Sequence, residues 1–223
     1  MNNYYSNRLN SKNLKRCYEI ASERIKQFLD AEINYSLSKI SSQDRVLDLG
    51  CGYGRIAERI IGNAKEIVGI DISEENIDLA KRLYKSEGLS FLVMNAQELK
   101  FENNHFDVTL CLQNGISAFK IEPTRLIKEA LRVTRQGGLV LVSTYSEKIW
   151  KERLEWFEKQ SEEGLIGEID YNLTREGKIV CKDNFTAITF SREEFIKLAS
   201  KFDVEVQVCE IDNSSLFCEL VKR

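Results

Sequence analysis

A chain of 223 residues is long enough to bury a hydrophobic core without metals or disulfides, so one globular domain is the expected organisation. With 43% hydrophobic residues, 30% charged residues and one proline, the composition excludes a disordered or fibrous protein. The net charge is −3 and basic residues alternate with acidic ones. This argues against a nucleic-acid partner, which usually requires a broad positive field.

The amino-terminal residues lack the features of a secretory signal. Met1–Asn10 is polar and contains no charged segment that leads into an apolar one. The longest apolar run, Leu139–Val142, is too short to cross a bilayer. The cysteines form no C-x-x-C pair, a distribution typical of small buried side chains in a reducing compartment. We expect a cytoplasmic protein with no metal site and no membrane partner.

The predicted elements begin with helices. Apolar residues near helical spacing between Leu14 and Leu37 predict helices that precede the first strand and could cover one end of a sheet. Short apolar segments then alternate with helical ones, which indicates parallel strands joined by crossover helices. Strands are predicted at 45–49, 66–70, 90–94, 107–112 and 139–144, and helices at 55–61, 74–86 and 123–134. Gly137 and Gly138 are expected to end the last helix, because glycine suits the left-handed conformation common there.

The alternation changes after Tyr145. An aromatic-rich helix at 149–160 is followed by a predicted β-hairpin, in which 168–173 pairs with 178–190. Ser191 is a suitable N-cap for another helix. Two final strands, at 204–211 and 215–221, are expected to return to the main sheet. The sequence therefore predicts an α/β fold, a Rossmann-like, doubly wound, seven-stranded sheet that is parallel except for one reversed strand near the end. A small antiparallel insert follows strand five.

A glycine-rich turn follows the first predicted strand. Gly50, Cys51, Gly52 and Gly54 lie in the turn that opens the next helix, where a doubly wound sheet binds the polar part of a cofactor. Glycine lets the backbone pass close to such a ligand. The dinucleotide fingerprint G-x-G-x-x-G would require glycine at position 55, which is Arg55. The spacing therefore argues against NAD.

The segment Val46–Gly54 closely resembles motif I of class I S-adenosylmethionine-dependent methyltransferases, in which an acid precedes a G-x-G-x-G turn. The resemblance implies that the turn wraps the methionine end of the cofactor. It also implies that Asp48 lies near the cofactor's amino group, for which a carboxylate is a suitable partner. Asp71, with Ile72 beside it, stands at the family's position for an acid that accepts hydrogen bonds from the ribose hydroxyls.

Later landmarks of the family also match. Asn95 and Ala96 stand where the family usually has Asp-Ala or an equivalent that contacts the adenine, and an asparagine oxygen can still accept from the exocyclic amine. The strand at 106–112 and the glycine-containing run at 137–142 follow the family pattern as well. The resemblance covers about residues 40–145.

The acceptor is expected beyond the carboxyl ends of the strands, where open α/β sheets bind ligands. Leu112 and Gln113 would face the cofactor, and the amides of Gln113 and Asn114 would orient the acceptor by proximity and alignment. A polar loop with a turn is the alternative for these two amides. Tyr145, directly after strand five, is a candidate for the pocket wall. Tyr5 resembles the tyrosine that closes over the cofactor in many small-molecule methyltransferases, or it only anchors the terminus.

The resemblance implies an enzyme that moves a methyl group from S-adenosyl-L-methionine to a nucleophile, leaving S-adenosyl-L-homocysteine, and the enclosed, partly aromatic insert favours a small-molecule acceptor. We expect a monomer or homodimer in which residues 1–223 form one domain. It consists of a cover (1–40), a cofactor-binding core (41–145), a substrate-side insert (146–190) and a final helix and strand pair (191–223). One alternative is a methyltransferase acting on protein or RNA, with basic residues such as Lys148, Lys151 and Arg153 around an open face. Another is a non-catalytic protein that binds the cofactor.

Overall fold

A computed structural model describes residue 4 and residues 8–223, so the predicted cofactor contact of Tyr5 lies outside the described residues. The helices are α1 (Ser11–Glu19), α2 (Glu23–Leu37), α3 (Arg55–Ile60), α4 (Glu74–Leu83), α5 (Gly115–Ala118), α6 (Pro123–Val133), α7 (Trp150–Glu162) and α8 (Arg192–Ala199). The strands are β1 (Arg45–Leu49), β2 (Glu66–Asp71), β3 (Leu89–Val93), β4 (Phe106–Cys111), β5 (Thr134–Tyr145), β6 (Lys178–Val180), β7 (Thr186–Ile188), β8 (Val204–Ile211) and β9 (Ser215–Lys222).

Seven strands form the main sheet, in the order β3-β2-β1-β4-β5-β9-β8. Strands β1 to β5 are parallel to their neighbours, and β9 runs antiparallel to both β5 and β8. The predicted α/β sheet with one reversed strand is confirmed. The strand order reverses between β1 and β4, and a crevice opens beyond the carboxyl ends of strands at such a point.

The central strands of the sheet are buried on both faces, as in a parallel sheet covered by crossover helices. On one face Leu47 and Leu49 of β1 belong to a core cluster that also contains Leu126 of α6 and Phe195 of α8. On the other face Val46 packs in a cluster formed with residues of α2, α3 and α4. Successive strand residues point to opposite faces, so one apolar strand serves both cores.

A further cluster lies beyond the sheet and joins the amino-terminal helices to the insert. It contains Phe28 of α2, Tyr145 at the end of β5, and the α7 residues Trp156 and Phe157. The indole Nε1 of Trp156 donates a hydrogen bond of 2.8 Å to the backbone oxygen of Cys17 in α1. Helix α1 is thereby tied to α7 across the carboxyl edge of the sheet.

Two predicted details are wrong. The hairpin of the insert pairs β6 with β7, whereas Ile169 contributes only an isolated bridge to Cys181. The chain turns at Asp170 instead, whose backbone oxygen accepts from the N–H groups of residues 173 and 174. Helix α6 ends at Val133 rather than at the two glycines. The Thr134 hydroxyl donates to the backbone oxygen of Ala130, and the glycines lie in the irregular start of β5.

None of the helices in the described part of the chain is long and apolar enough to cross a membrane. All six cysteines are free, and five of them are buried while Cys209 is half-buried. Among residue 4 and residues 8–223, no group of three or more His, Cys, Asp and Glu side chains could hold a metal ion. The five buried cysteines pack in the apolar clusters, whereas Cys209 also contacts the Tyr35 hydroxyl at 3.0 Å.

Candidate functional site

The glycine turn connects β1 to α3 at the point where the strand order reverses. The N–H groups of Gly50 and Cys51 both donate to the backbone oxygen of Ile70, at 2.9 Å each, which fixes the turn against the end of β2. Gly52 has a φ of 54°, and a Cβ there would lie 2.8 Å from Cδ2 of Leu14 in α1. Glycine suits the left-handed backbone at this position, and the Leu14 side chain occupies the space that a Cβ would take.

A single cavity runs from this turn beneath α1 towards the insert, and its two ends differ in chemistry. We call the part next to the turn the polar end. Its wall includes Asp48, Gly50, Cys51, Gly52, Arg55, Asp71, Ile72 and Asn76. The part beneath the insert is the aromatic end, and its wall includes Tyr18, Tyr145, Trp156, Phe157 and Phe185. Leu112 and Gln113 also line the cavity.

Asp71 holds the polar end together. Its carboxylate accepts hydrogen bonds from the N–H of Gly52 at 3.0 Å and from the N–H of Ser73 at 2.9 Å. The side-chain amide of Asn76 donates to it at 3.3 Å. Burial raises the pKa of Asp71, and these hydrogen bonds oppose that shift. The carboxylate therefore links the turn to the first residues of α4.

Asp48 is a buried acid with an unused oxygen. Its side chain is 2% exposed, and Oδ2 has no hydrogen-bond partner in the part of the chain that the structure describes. Burial raises the pKa of Asp48 to about 7, the charge of Arg55 opposes the shift, and the charge of Asp71 adds to it. A buried carboxyl in this condition is suited to a cationic ligand group.

Tyr18 and Gln113 form a polar contact between α1 and the end of β4. The Tyr18 hydroxyl donates to Oε1 of Gln113 at 2.9 Å, and the guanidinium of Arg55 lies 4.5 Å from the centre of the Tyr18 ring. Nε2 of Gln113 and Nη2 of Arg55 are buried without a hydrogen-bond partner among the described residues. The cavity wall therefore contains two donors and one acceptor, Oδ2 of Asp48, that lack a hydrogen-bond partner among the described residues.

Glu32, in the middle of α2, is fully buried. Its Oε2 accepts from the backbone N–H of Gln113 at 3.0 Å, and its Oε1 accepts from the hydroxyl of Ser215 at 2.5 Å. Burial raises its pKa to about 7 against the effect of these hydrogen bonds. Gln113 and Asn114 have left-handed φ values of 53° and 60°, which cost energy in residues other than glycine. Glu32 thus helps to hold the strained end of β4.

Asn114 is placed differently from the prediction that it orients an acceptor. Its Nδ2 donates to the backbone oxygen of Ile188 at 2.9 Å, and its Oδ1 accepts from the Thr144 hydroxyl at 2.8 Å. Asn114 is absent from the cavity wall as far as the described residues define it. Because protein partners occupy both amide atoms, the side chain anchors β7 of the insert to the sheet.

Tyr145 lines the aromatic end of the cavity, and its part in binding an acceptor stays a prediction. Its ring stacks on Phe28 at a centroid distance of 4.9 Å, and the guanidinium of Arg153 lies 4.4 Å from the ring centre. Tyr171 of the insert, by contrast, is 66% exposed and hydrogen-bonded to Glu158. The aromatic wall therefore comes from α1, β5, α7 and the residue before β7.

Three residues of the predicted cofactor set lie outside the described cavity wall. Gly54 sits behind the turn, where a Cβ would lie 2.6 Å from the ring of Phe91. Asn95 is exposed, and its Oδ1 accepts from the N–H of Gln97 at 2.9 Å. Ala96 is buried in a core cluster. The adenine contact of Asn95 and Ala96 stays a prediction.

Sequence reasoning missed Tyr18, Glu32 and Arg55 as members of the site. Glu32 interrupts the buried stripe of α2 that also includes Ile25 and Phe28, and an acid at such a position is a recognisable signal. Arg55 directly follows the glycine turn. Tyr18 carries no comparable signal, because its position depends on how α1 packs across the sheet.

Solved structures share this fold. A Methanosarcina mazei protein described as a SAM-dependent methyltransferase matches 84% of this chain and 96% of its own, with a TM-score of 0.63 and 24% sequence identity. A Pyrococcus horikoshii protein matches 91% and 92%, with a TM-score of 0.66 and 22% identity. This chain thus has the same Rossmann-like α/β fold as these two proteins.

Sequence comparison adds the family. Residues 46–138 match the methyltransferase domain family. The ubiquinone biosynthesis O-methyltransferase of Rhizobium etli is 32% identical over 102 residues, which are 45% of this chain and 40% of that protein. This chain spans about half the length of the first curated relatives that it matches, from 40% to 57%. Residues 46–138 are thus the part of the chain that resembles a methyltransferase domain.

Proposed function

We propose that the protein is an enzyme that transfers a methyl group from S-adenosylmethionine to a small molecule bound in the aromatic end of the cavity. The main support is that one cavity extends from the glycine turn to the aromatic end. A cofactor at the turn and an acceptor beneath the insert would then be neighbours. When bound, the cofactor supplies an electrophilic methyl group on its sulfonium.

The residues of the polar end suit this cofactor. The unused Oδ2 of Asp48 would pair with the cofactor's ammonium group. The close approach of α1 to the turn at Gly52 would enclose the amino-acid portion. Asp71 would accept hydrogen bonds from the ribose, and Asn95 and Ala96 would contact the adenine. Each of these roles is a proposal.

The aromatic end favours a small acceptor. Tyr145, Trp156 and Phe157 are all buried, and α1 covers them with Cys17 and Tyr18. Such an enclosed wall suits a largely apolar, planar molecule. The Rhizobium etli relative is by its name an O-methyltransferase of ubiquinone biosynthesis, which agrees with a small acceptor. The residues would act mainly by alignment and by excluding water.

The protein or RNA alternative has less support. Arg153, one of the basic residues on which it depends, is 1% exposed beneath the rings of Tyr145 and Phe157. Lys148 is ion-paired with Glu210. These side chains do not form a free basic face. We further propose a cytoplasmic monomer or homodimer, for which the free cysteines are the supporting observation.

Calorimetric titration with S-adenosylmethionine, S-adenosylhomocysteine and NAD tests the proposal. We expect binding of both adenosyl compounds and none of NAD, with a loss of about 1.5 to 3 kcal/mol in Asp71→Ala. Asp78→Ala is the control, because Asp78 is an exposed acid of α4. Methyl transfer to members of a panel of small planar acceptors would then establish the activity. Binding without turnover on any acceptor would favour the non-catalytic alternative, and preference for NAD would overturn the proposal.

A further inference from the structure

We infer that Arg55 binds the carboxylate of the cofactor's amino-acid portion, an inference that rests on the proposed function. Arg55 is the first residue of α3 and lines the polar end of the cavity. Its Nη2 is buried and lacks a hydrogen-bond partner among the described residues. A buried guanidinium nitrogen without a partner costs free energy that an anionic ligand would recover.

The surrounding acids do not neutralise Arg55 by direct contact. Within the described ranges, Arg55 forms no ion pair with a carboxylate at 4.0 Å or less. Its charge nevertheless lowers the pKa of both Asp48 and Glu32 against the effect of their burial. The guanidinium thus lies near two carboxyl groups and pairs with neither, which leaves Nη2 available to a ligand.

Two atoms at the polar end lack a hydrogen-bond partner among the described residues, and one is an acceptor while the other is a donor. Asp48 offers an acceptor oxygen, Oδ2, and Arg55 offers a donor, Nη2. An α-amino acid end carries an ammonium and a carboxylate on one carbon, so it would satisfy both atoms at once. Guanidinium binds carboxylate through charge-assisted hydrogen bonds, frequently two in parallel.

Tyr18 gives this contact a second consequence. The Tyr18 ring lies over the guanidinium of Arg55 at the polar end of the cavity. The Tyr18 hydroxyl donates a hydrogen bond to Gln113. Tyr18 therefore connects α1 to both ends of the cavity. A carboxylate that fixes Arg55 would also fix Tyr18. Cofactor binding would therefore help to complete the aromatic end before the acceptor enters.

The test compares two ligands that differ by the amino-acid portion. We expect Arg55→Met to weaken S-adenosylhomocysteine by about tenfold to a hundredfold, the range of a lost charge-assisted hydrogen bond. Binding of 5′-methylthioadenosine, which lacks the amino-acid portion, should change by less than about twofold. Arg55→Lys should fall between. Arg59→Met is the matched control, because Arg59 lies on the same helix and pairs with Asp30 at the surface.

A measurement on the wild-type protein covers the case in which Arg55→Met does not fold. Decarboxylated S-adenosylhomocysteine retains the amine and should bind at least about tenfold more weakly than the intact compound. Equal weakening of both ligands by Arg55→Met, or equal affinity of the intact and decarboxylated compounds, would overturn the role of Arg55 and leave the proposed function standing. If the wild-type protein binds no adenosyl compound, the proposed function fails, and the inference fails with it.

Discussion

The carboxyl group of Glu32 in α2 accepts a hydrogen bond of 3.0 Å from the backbone N–H of Gln113, the second residue after β4. This contact joins the amino-terminal helices to the point where the acceptor is proposed to meet the cofactor. The same N–H is also 2.8 Å from the hydroxyl of Ser143. Glu32 therefore acts on the site through the position of the Gln113 backbone.

We predict that Glu32→Ala lowers the free energy of unfolding by about 2 to 4 kcal/mol, because two buried hydrogen bonds are lost and a cavity is left in place of the side chain. The Gln113 N–H keeps the Ser143 hydroxyl as an acceptor. The Ser215 hydroxyl keeps only the longer bond to the Thr144 oxygen. Glu32→Gln should cost less than half as much, since its amide oxygen can still accept. Urea unfolding at pH 6 measures both. Glu23→Ala, on the exposed side of α2, is the control and should stay within about 0.5 kcal/mol.

The pKa of Glu32 makes stability depend on pH. Its folded pKa of about 7 exceeds the ordinary 4.5, so the unfolded chain ionises first as the pH rises. The contribution of Glu32 is therefore complete below about pH 4.5 and lost as the pH passes 7. The stability of wild type relative to Glu32→Gln should fall by about 3 kcal/mol between pH 4.5 and 7. A difference that stays constant across this range, or rises, would contradict the assignment.

Cofactor binding should release a proton from Asp48. The free carboxyl has a pKa of about 7, and an ammonium beside Oδ2 would lower it, so a protonated Asp48 loses its proton on binding below pH 7. Calorimetry at pH 6.5 in buffers of different ionisation enthalpy counts the protons released. Asp48→Asn, which has no proton to lose, should remove this release and also weaken binding. Equal proton release by both proteins would exclude Asp48 as the source.

Gly54→Ala should lower the free energy of unfolding by about 2 to 4 kcal/mol. Gly54 has a φ of 86°, and the new methyl group would lie 2.6 Å from the Phe91 ring. Gly62→Ala is the matched control, because a Cβ at Gly62 meets nothing within 4 Å and should change stability by less than about 0.5 kcal/mol. Thermal or urea unfolding of the two variants and the wild-type protein measures both changes in the free energy of unfolding.

Trp156→Phe tests the aromatic end. The change keeps an aromatic ring but removes the Nε1 hydrogen bond to the backbone of Cys17 and part of the wall. If the acceptor binds there, its KM should rise by about threefold to tenfold, as for a loss of roughly 1 kcal/mol, while S-adenosylhomocysteine affinity stays constant. Trp150→Phe is the control, because Trp150 is not part of the described cavity wall. A change confined to cofactor affinity would place the acceptor elsewhere.

The order of the elements was predictable because the alternation of apolar strands and amphipathic helices is strong between residues 45 and 145. The contacts between distant segments were not. Glu32 meets Gln113 across 81 residues of sequence, and Tyr18 meets it across 95. Hydrophobic periodicity depends on residues that are close in sequence, so it does not predict which distant residues form a hydrogen bond. Asn114 illustrates the same limit. The sequence does not indicate that the insert places the backbone oxygen of Ile188 next to the Asn114 amide.

Helix α1 covers the cavity. An ion pair at the protein surface helps to hold this helix in place. Arg16 pairs with Glu163 through two hydrogen bonds of 2.7 Å, and both side chains are more than a third exposed. Exposed ion pairs weaken as salt screens them, whereas the buried sheet does not depend on them. We therefore expect added salt to weaken the contact between α1 and α7 more than it affects the buried sheet.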